Sequence, residues 1–371
     1  MYLVERVAGG AVYLALMLVV CNGITVSRKS SVKKWLIAYA ILLGLLGFIY
    51  IPPETADLTR LLESYRVWLQ LPFDEILARC STSSTPAQVL YFWVVGQTGL
   101  DGALPGVSGL LYHLLIFSCI WDFAQRRDMP QPAVAVAVAF LMSFGSFLQA
   151  ISGIRSYLAF AVIARCMYRE IACSRPVVLS IPGYLFACLM HPAGMALTIV
   201  RLAILIFQKG GGVLRKAGIV AFIAVAVAFA SRFGAQYIDS MFDKMTGYFG
   251  GEVYSYVWEY LIHGILLASI AGTLYSGRSL FAEDDAERNL ALGVGVTAFI
   301  AVAFAPIEYS VFLRFSGFSA CLCAPLVMRL LKQRYEDGDA NYRSWLLVAI
   351  CAMAFIACAR GDLSSYKFMV L

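Results

Sequence analysis

Apolar runs long enough to cross a membrane recur along almost the whole chain, and they constrain its fold more than any other feature. A helix needs about 20 mostly apolar residues to cross the hydrocarbon core of a bilayer. Hydrophobic residues make up 61% of the 371 residues, and charged residues make up only 14%. A soluble globule of this length cannot bury so much apolar surface. The sequence therefore excludes a soluble enzyme, a disordered chain and a secreted disulfide scaffold.

We expect an all-α, polytopic integral membrane protein with about 12 transmembrane helices. Residues 1–371 are interpreted as a single membrane domain, because neither a repeat nor a soluble second domain is visible. The candidate spans are residues 7–26, 35–51, 106–124, 132–150, 156–170, 177–191, 193–208, 217–232, 257–276, 289–307, 312–331 and 345–360.

Short loops rich in Lys and Arg indicate the orientation, since such loops stay on the cytoplasmic side. Five basic segments qualify: 28–34, 126–127, 165–175, 209–216 and 332–343. The alternation of sides works only if the apolar segment 86–99 does not cross, and we interpret it as a re-entrant or interfacial helix on the outer, periplasmic side. Residues 52–105 then form an outer loop with amphipathic and re-entrant helices, and residues 233–256 form a second outer loop.

The net charge of +6, from 29 Lys and Arg against 23 Asp and Glu, fits this arrangement. In a membrane protein such a surplus places basic loops near anionic lipid. We therefore expect membrane lipid as a partner, and no nucleic acid. The motifs of a phosphate-binding loop, a zinc protease and a serine hydrolase are missing, and no carboxylate cluster suits a metal. No metal and no cofactor are expected.

Two polar residues stand out at the outer ends of apolar spans. Arg155 lies in the segment Ser152–Tyr157, where an arginine is costly unless it is solvated or paired, and its planar guanidinium suits phosphate oxygens. The alternative is an arginine that anchors the chain to lipid headgroups. His191, followed by Pro192, can exchange a proton near neutral pH as a base or shuttle. A hydrogen-bonded imidazole at a helix end is the alternative.

Further candidates lie near the same face. Arg314 lies near the start of a late span, with Glu308 close enough in sequence to pair with it, and a structural ion pair is the alternative. Arg232 closes the span that precedes the second outer loop.

In the first outer loop, apolar residues recur at i, i+3 and i+4 from Asp57 to Leu69, which predicts an amphipathic helix on the outer leaflet. Asp57, Tyr65 and Arg66 on this stretch are candidates for contact with sugars or headgroups. A plain solvated loop is the alternative.

The order of these features resembles the EpsG family of bacterial exopolysaccharide proteins, which is similar to the Wzy-type polysaccharide polymerases. A polar outer loop precedes a short apolar helix, and then come a span, Gly-Ile-Arg, a second span, a basic turn, a span that ends in His and a late span headed by Arg. The resemblance covers most of the chain and is sharpest over 151–197, from ISGIRSYLAF to LMHPAGMAL.

The resemblance implies a metal-independent glycosyltransferase in the bacterial cytoplasmic membrane. Such a polymerase transfers the growing glycan from undecaprenyl diphosphate to the next lipid-linked repeat unit at the outer face. Arg155 and Arg314 would hold the diphosphate, and His191 would act as base or orient the acceptor. Asp57 and Tyr65 would contact sugar, with Asp57 as an alternative base. A chain-length regulator and export proteins are the implied protein partners.

Three alternatives remain open. A flippase or exporter of lipid-linked oligosaccharide would also use arginines, although in a cavity that opens to each side in turn. A membrane acyltransferase would need a cytoplasmic route for its acyl donor. A purely structural partner of a synthesis complex would tolerate the loss of Arg155 and His191.

Overall fold

The computed structural model describes residues 2–52, 56–144, 147–207, 220 and 257–336, and over these residues the chain forms helices and no strand. The α-helices are α1 (Tyr2–Val26), α2 (Val32–Phe48), α3 (Asp57–Leu69), α4 (Phe73–Thr82), α5 (Pro86–Gly96), α6 (Ala103–Arg126), α7 (Gln131–Phe144), α8 (Phe147–Ser152), α9 (Ile154–Ala172), α10 (Ile181–Met190), α11 (Pro192–Phe207), α12 (Val257–Ser276), α13 (Arg278–Ala282), α14 (Asp285–Phe304) and α15 (Tyr309–Glu336). Short 3₁₀ helices at Lys29–Ser31 and Val177–Ser180 lead into α2 and α10.

The helices are those of a multi-pass, all-α membrane protein. Within the part of the chain that the structure describes, four helical segments are long and apolar enough to cross a bilayer: Lys29–Phe48, Ala103–Arg126, Asp285–Phe304 and Tyr309–Glu336. Shorter apolar helices accompany them: Gly10–Val26, Pro86–Gly96, Gln131–Phe144, Val177–Met190 and Pro192–Leu205. The span expected at 132–150 corresponds to α7 and α8, and residues 145–146 between them lie outside the described residues. The span expected at 217–232, apart from residue 220, and the span expected at 345–360 lie outside the described residues, as do Arg232 and the second outer loop.

Helices α2 and α6 pack antiparallel with their backbones close together. A Cβ atom added to Gly47 would lie 2.9 Å from the Pro105 carbonyl oxygen, and one added to Gly106 would lie 3.0 Å from Cβ of Phe48. Glycines allow this approach because they have no side chain to separate the two backbones. The approach stabilises the pair, since dispersion contacts, not a hydrophobic driving force, hold helices together in lipid. The end of α2 therefore lies beside the start of α6, so residues 49–102 leave and return at the same end of the bundle.

The segment between α2 and α6 forms a small layer of three short helices at that end. Helix α3 buries Leu58, Leu61, Leu62 and Tyr65 on one face, as its i, i+3, i+4 spacing requires. Helix α5 begins with Pro86 and packs against α3, α4 and α6. At 11 residues, α5 is too short to cross a bilayer.

The centre of the bundle is α7, which is buried at every residue from Ala133 to Phe144. Helices α1, α6 and α15 pack around it, and α9 packs on α6 and α15. The small Ala and Val side chains of α7 let these neighbours approach closely, which is the packing that membrane helices favour. This core holds the ends of α6, α9 and α15 in a fixed relation.

One end of the bundle, which we call the basic end, collects three of the segments predicted to be cytoplasmic. Lys29 Nζ lies 2.6 Å from Asp128 Oδ1, and Lys332 Nζ donates to the Arg127 carbonyl oxygen at 2.7 Å. Arg127 Nη2 lies 2.5 Å from Asp284 Oδ2. Burial alone would raise the pKa of Asp284, but the bonds from Arg127 and from the first amides of α14 outweigh burial and lower it.

Candidate functional site

The opposite end of the bundle, which we call the Arg155 end, contains most of the described candidates. Helix α8 stops at Ser152, and the Gly153 amide donates to the Gln149 carbonyl oxygen at 2.7 Å before α9 begins at Ile154. Arg155 therefore lies in the first turn of α9, directly after this break. Its Nη1 donates to Oε1 of the buried Gln88 on α5 at 3.4 Å, which joins the short helix to the span.

Asp57 lies beside the same turn. The Leu58 amide at the start of α3 donates to Ser152 Oγ at 3.2 Å, which fixes the beginning of α3 against the end of α8. The Asp57 side chain is exposed and pairs with Arg60 on its own helix. The structure thus brings Asp57 close in space to the Arg155 turn, although the two residues are 98 positions apart in the sequence.

His191 lies at the level of Arg155 on the adjacent helix. Helix α10 runs antiparallel to α9, with Gly183 packed against Val162 and Cys166. At 1.5 Å per residue, His191 lies about 12 Å beyond Gly183 and Arg155 about 10 Å beyond Val162, in the same direction. Arg155 also shares a helix face with Val162 and Cys166, because the three follow the spacing of about 3.6 residues per turn. Arg155 therefore faces α5 and α10, where His191 ends the helix.

The imidazole of His191 is an N-cap. Its Nδ1 accepts a hydrogen bond from the Ala193 amide at 3.1 Å, at the second residue of α11, and Pro192 occupies the first position. A neutral imidazole whose Nδ1 accepts carries its proton on Nε2. In this arrangement the Nε2–H group of His191 can act as a hydrogen-bond donor, and both roles considered for His191, base or orienting residue, stay predictions.

Arg314 occupies the adjacent helix α15. Four residues below it, Phe318 contacts Phe160 of α9, with ring centroids 6.0 Å apart. Arg314 and Phe318 share a face at i, i+4, so Arg314 faces α9. Both arginines lie about 6–8 Å above this aromatic contact, since α9 and α15 run in parallel. Arg155 and Arg314 are thus at similar depth on packed helices, while Arg155 is turned towards α5 and α10.

Glu308 caps the helix that carries Arg314. Its Oε2 accepts from the Val311 amide at 2.6 Å, and its Oε1 accepts from the Ser310 amide at 3.2 Å. A carboxylate at this position satisfies amides that have no partner within the helix. Glu308 therefore orients the start of α15, and its role in substrate binding stays a prediction.

Tyr65 and Arg66 hold the three-helix layer together. The buried hydroxyl of Tyr65 donates to the Leu100 carbonyl oxygen at 3.0 Å, and burial raises the pKa of Tyr65. Arg66 Nη2 lies 2.5 Å from Asp101 Oδ2 on the exposed side of the layer. The two contacts tie α3 to the segment that leads into α6. Sugar contact by these side chains stays a prediction.

A polar chain that the sequence reasoning missed lies between α12 and α15. Nδ1 of His263 is 2.6 Å from Ser316 Oγ, and Nε2 is 3.5 Å from Glu259 Oε2. The His263 side chain is 1% exposed, whereas Glu259 is 22% exposed near the start of α12. The sequence pattern that could have revealed this contact is a Glu and a His spaced i, i+4 in an apolar helix, because this spacing places both on one face.

A second missed feature is a buried ion pair within the bundle. Arg201 Nε of α11 lies 2.9 Å from Glu170 Oε2 of α9, and both side chains are at most 3% exposed. Glu170 Oε1, Arg201 Nη1 and the Tyr184 hydroxyl are buried without a hydrogen-bond partner in the structure. Glu170 belongs to a segment that the sequence reasoning treated as a basic loop, so its charge was not counted as buried.

Among the described residues, no group of three or more His, Cys, Asp or Glu side chains is arranged to hold a metal ion. Comparison with protein-family models, with curated proteins and with solved structures finds no match to this chain. The functional interpretation therefore depends on the chain's own residues and on the resemblance that they carry.

Proposed function

We propose that this protein is a membrane polymerase of a bacterial exopolysaccharide, capsule or O-antigen, similar to the EpsG and Wzy-type proteins. It would transfer glycan from undecaprenyl diphosphate to the next lipid-linked repeat unit. The observation that carries the proposal is the grouping of Arg155, buried Gln88 and the His191 cap at the end of the bundle opposite the basic end.

Arginines suit the leaving group of this reaction. The lipid diphosphate carries at least two negative charges, and guanidinium forks bind phosphate oxygens through paired hydrogen bonds. Charge develops on the bridging oxygen as the glycosidic carbon separates from phosphate, so a cation held in place stabilises the transition state. Gln88 and the α8–α9 turn would hold Arg155 in position, and Glu308 would fix the first turn of the helix that presents Arg314.

Nε2 of His191 would donate to a phosphate or sugar oxygen. Its N–H is pre-organised, because the Ala193 amide occupies Nδ1 and selects the tautomer. Asp57, beside the same turn, would contact the sugar that follows the diphosphate. Together these residues supply charge, a donor and an acceptor within one end of the bundle.

The orientation of the protein belongs to the same proposal. Basic loops stay in the cytoplasm, so the basic end would face inward and the Arg155 end would meet the outer leaflet of the bacterial cytoplasmic membrane. The chain would cross that membrane about 12 times. The lipid-linked oligosaccharide would then approach from the outer leaflet, with a chain-length regulator and export proteins as further partners.

The test replaces Arg155 or Arg314 with Ala in a strain that lacks the chromosomal copy. Loss of the arginine should remove polymer, and single repeat units on the lipid carrier should accumulate on the outer leaflet. Lipid-linked sugar is separated on a gel, and the protein level in the membrane is measured beside it. Removing a preorganised charge from such a site typically lowers turnover by about 10²–10³-fold.

The matched control is Arg79→Ala, an exposed arginine on α4 at the same end of the bundle. This variant should make polymer at the wild-type level. Wild-type polymer from both Arg155→Ala and Arg314→Ala, with protein present, would contradict the proposal.

A flippase is the second candidate, and the buried Glu170–Arg201 pair favours it. Ionisable groups inside a membrane bundle commonly mark a substrate or ion pathway. A flippase would leave lipid-linked units on the inner leaflet when it is inactivated. The leaflet on which units accumulate therefore separates the two candidates.

A further inference from the structure

Helices α2 and α6 stay in contact as far as the basic end of the bundle. Near the middle of α2, a Cβ atom added to Gly44 would lie 2.9 Å from Cβ of Leu110. Lys33 lies 11 positions before Gly44 and Trp121 lies 11 positions after Leu110, so two antiparallel helices bring them to the same level. Nζ of Lys33 lies 4.4 Å from the centroid of the Trp121 ring. This pair therefore marks where the contact between the helices reaches the basic end.

The exposed side chains of α2 form an apolar stripe beside this contact. Ile37, Ile41 and Leu45 follow Lys34 at helical spacing, and they are 39%, 47% and 56% exposed. The opposite face of α2, which includes Tyr39, is buried in the bundle. A stripe with this spacing occupies one face of the helix along its whole length.

Helix α6 has a matching stripe. Its exposed and partly exposed side chains recur at helical spacing: Leu111, Leu114, Ser118 and Trp121. On both helices the stripe follows the contact face in the same rotational sense, from Gly44 to Leu45 on α2 and from Leu110 to Leu111 on α6. Because the helices are antiparallel, the two stripes lie on the same side of the pair. They are the two walls of one groove, which we call the α2–α6 groove.

Two lysines stand at the basic end of the α2–α6 groove. Lys33 and Lys34 are exposed, and neither forms an ion pair with a carboxylate in the part of the chain that the structure describes, whereas Lys29 pairs with Asp128. Both lysines lie in the first turn of α2, which contains no acidic residue. The start of a helix already carries a partial positive charge, so lysines there repel it. An anion beside them would remove this repulsion.

Tryptophans indicate the depth of the lysines in the membrane. Trp rings concentrate at the boundary between the hydrocarbon core and water. Trp121 lies level with Lys33, and Trp35 lies within one turn of it and packs on α1, where a Cβ atom added to Gly23 would lie 2.6 Å from its ring. The α2–α6 groove thus presents cations at headgroup depth and apolar walls at the depth of acyl chains.

We propose that the α2–α6 groove binds one anionic phospholipid from the leaflet that meets the basic end. Its phosphate would lie at Lys33 and Lys34, and an acyl chain would lie along the groove. The site goes beyond the proposed function and does not depend on the reaction at the Arg155 end. General attraction of anionic lipid would be shared by all the basic segments, whereas this site depends on two lysines. Together they should raise the affinity for the lipid by about 10–30-fold.

The test measures lipid binding to the full-length protein, purified in detergent and depleted of lipid, by native mass spectrometry. The probes are phosphatidylglycerol and the neutral phosphatidylcholine. Wild type should bind its first phosphatidylglycerol about 10–30-fold more tightly than phosphatidylcholine, and Lys33→Gln, Lys34→Gln should lose this preference. Lys33→Arg, Lys34→Arg should keep it, because the charges remain. Without lipid, the Gln variant should unfold at or above the wild-type temperature, since two cations leave the start of α2.

The matched control is Arg175→Gln, Arg334→Gln, which removes two exposed cations from the basic end outside the α2–α6 groove. Its preference should stay within about twofold of wild type, because exposed charges are screened by salt over about 10 Å. An equal loss in the control would overturn the site in favour of general attraction. A wild-type preference in Lys33→Gln, Lys34→Gln would also overturn it.

Glycerol 3-phosphate separates a lipid from a free phosphate, because it has the charged group without acyl chains. At millimolar concentration it should leave the bound phosphatidylglycerol in place. Displacement would show that the apolar walls contribute nothing and would overturn the assignment to a lipid. None of these outcomes decides the proposed function, which is judged by polymer formation in the Arg155 and Arg314 variants.

Discussion

At the scale of single residues, two of the candidate side chains combine a proposed role in substrate binding with a structural role as a helix cap. His191 is both a candidate substrate donor and the N-cap of α11, and Glu308 is both a candidate substrate contact and the cap of α15. A substitution at such a position changes helix stability and chemistry together. Variants that keep the helix cap but remove the proposed substrate contact are therefore needed to separate the two roles.

His191 offers such a separation. His191→Ala removes the acceptor for the Ala193 amide and should lower stability by about 1 kcal/mol. His191→Asn restores a cap acceptor and should keep wild-type stability, but it lacks the imidazole. Thermal unfolding in detergent and polymer formation are measured for both variants. Polymer at the wild-type level in His191→Asn would exclude a chemical role for the ring.

The Glu170–Arg201 pair makes a second prediction at this scale. Removing one partner leaves an unpaired buried charge, so Arg201→Met should destabilise the protein by about 3–5 kcal/mol. The double variant Glu170→Met, Arg201→Met removes both charges and should recover most of that loss. Denaturation in mixed micelles measures the three free energies. A double variant as unstable as the single one would show that the loss does not come from the unpaired charge of Glu170.

At the scale of elements, close helix packing explains why the layer α3–α5 is placed at one end. Gly44, Gly47 and Gly106 bring α2 against α6, and the intervening residues must then leave and return at the same level. The position of Gln88 beside Arg155 follows from this packing, because α5 lies in that layer.

Gly47→Ala tests the packing. The added methyl would lie 2.9 Å from the Pro105 carbonyl oxygen, and pushing the helices apart should cost about 1–3 kcal/mol. Gly317→Ala is the control, since a methyl there meets no atom within 4 Å in helix α15 and should be neutral or stabilising by up to about 1 kcal/mol. Thermal stability of the purified protein is the measurement. Equal effects of the two substitutions would contradict the close approach.

At the scale of the whole molecule, charge divides the bundle into two different ends. The basic end contains the ion pairs Lys29–Asp128 and Arg127–Asp284 and the hydrogen bond from Lys332 to the Arg127 carbonyl oxygen. The Arg155 end contains the candidate site. A membrane potential and anionic lipid act on these ends differently, which is the physical basis of orientation.

Cysteine labelling tests that orientation. Ser81→Cys on α4 and Ser30→Cys before α2 replace exposed hydroxyls at opposite ends, in a Cys80→Ser background. A membrane-impermeant maleimide should label Ser81→Cys in intact cells and Ser30→Cys only after the membrane is opened. The reverse pattern would place the candidate site in the cytoplasm and remove the basis for an outer-face polymerase.

The sequence by itself determined that this is a helical membrane protein, because apolar content is a local property that adds along the chain. It also singled out Arg155, His191 and Arg314, since a polar residue beside an apolar span is visible without knowing its neighbours. The approximate span positions followed for α2, α6, α14 and α15.

Only the tertiary structure decided which side chains meet. Several contacts depend on how each helix is rotated about its axis and on which helices pack together. They are Gln88 beside Arg155, the backbone amides on Glu308, the Glu259–His263–Ser316 contact and the buried Glu170–Arg201 pair. A helix in lipid is apolar on nearly every face, so hydrophobic patterning cannot specify that rotation. Close backbone packing sets it instead, and this information appears only when all the helices are in place.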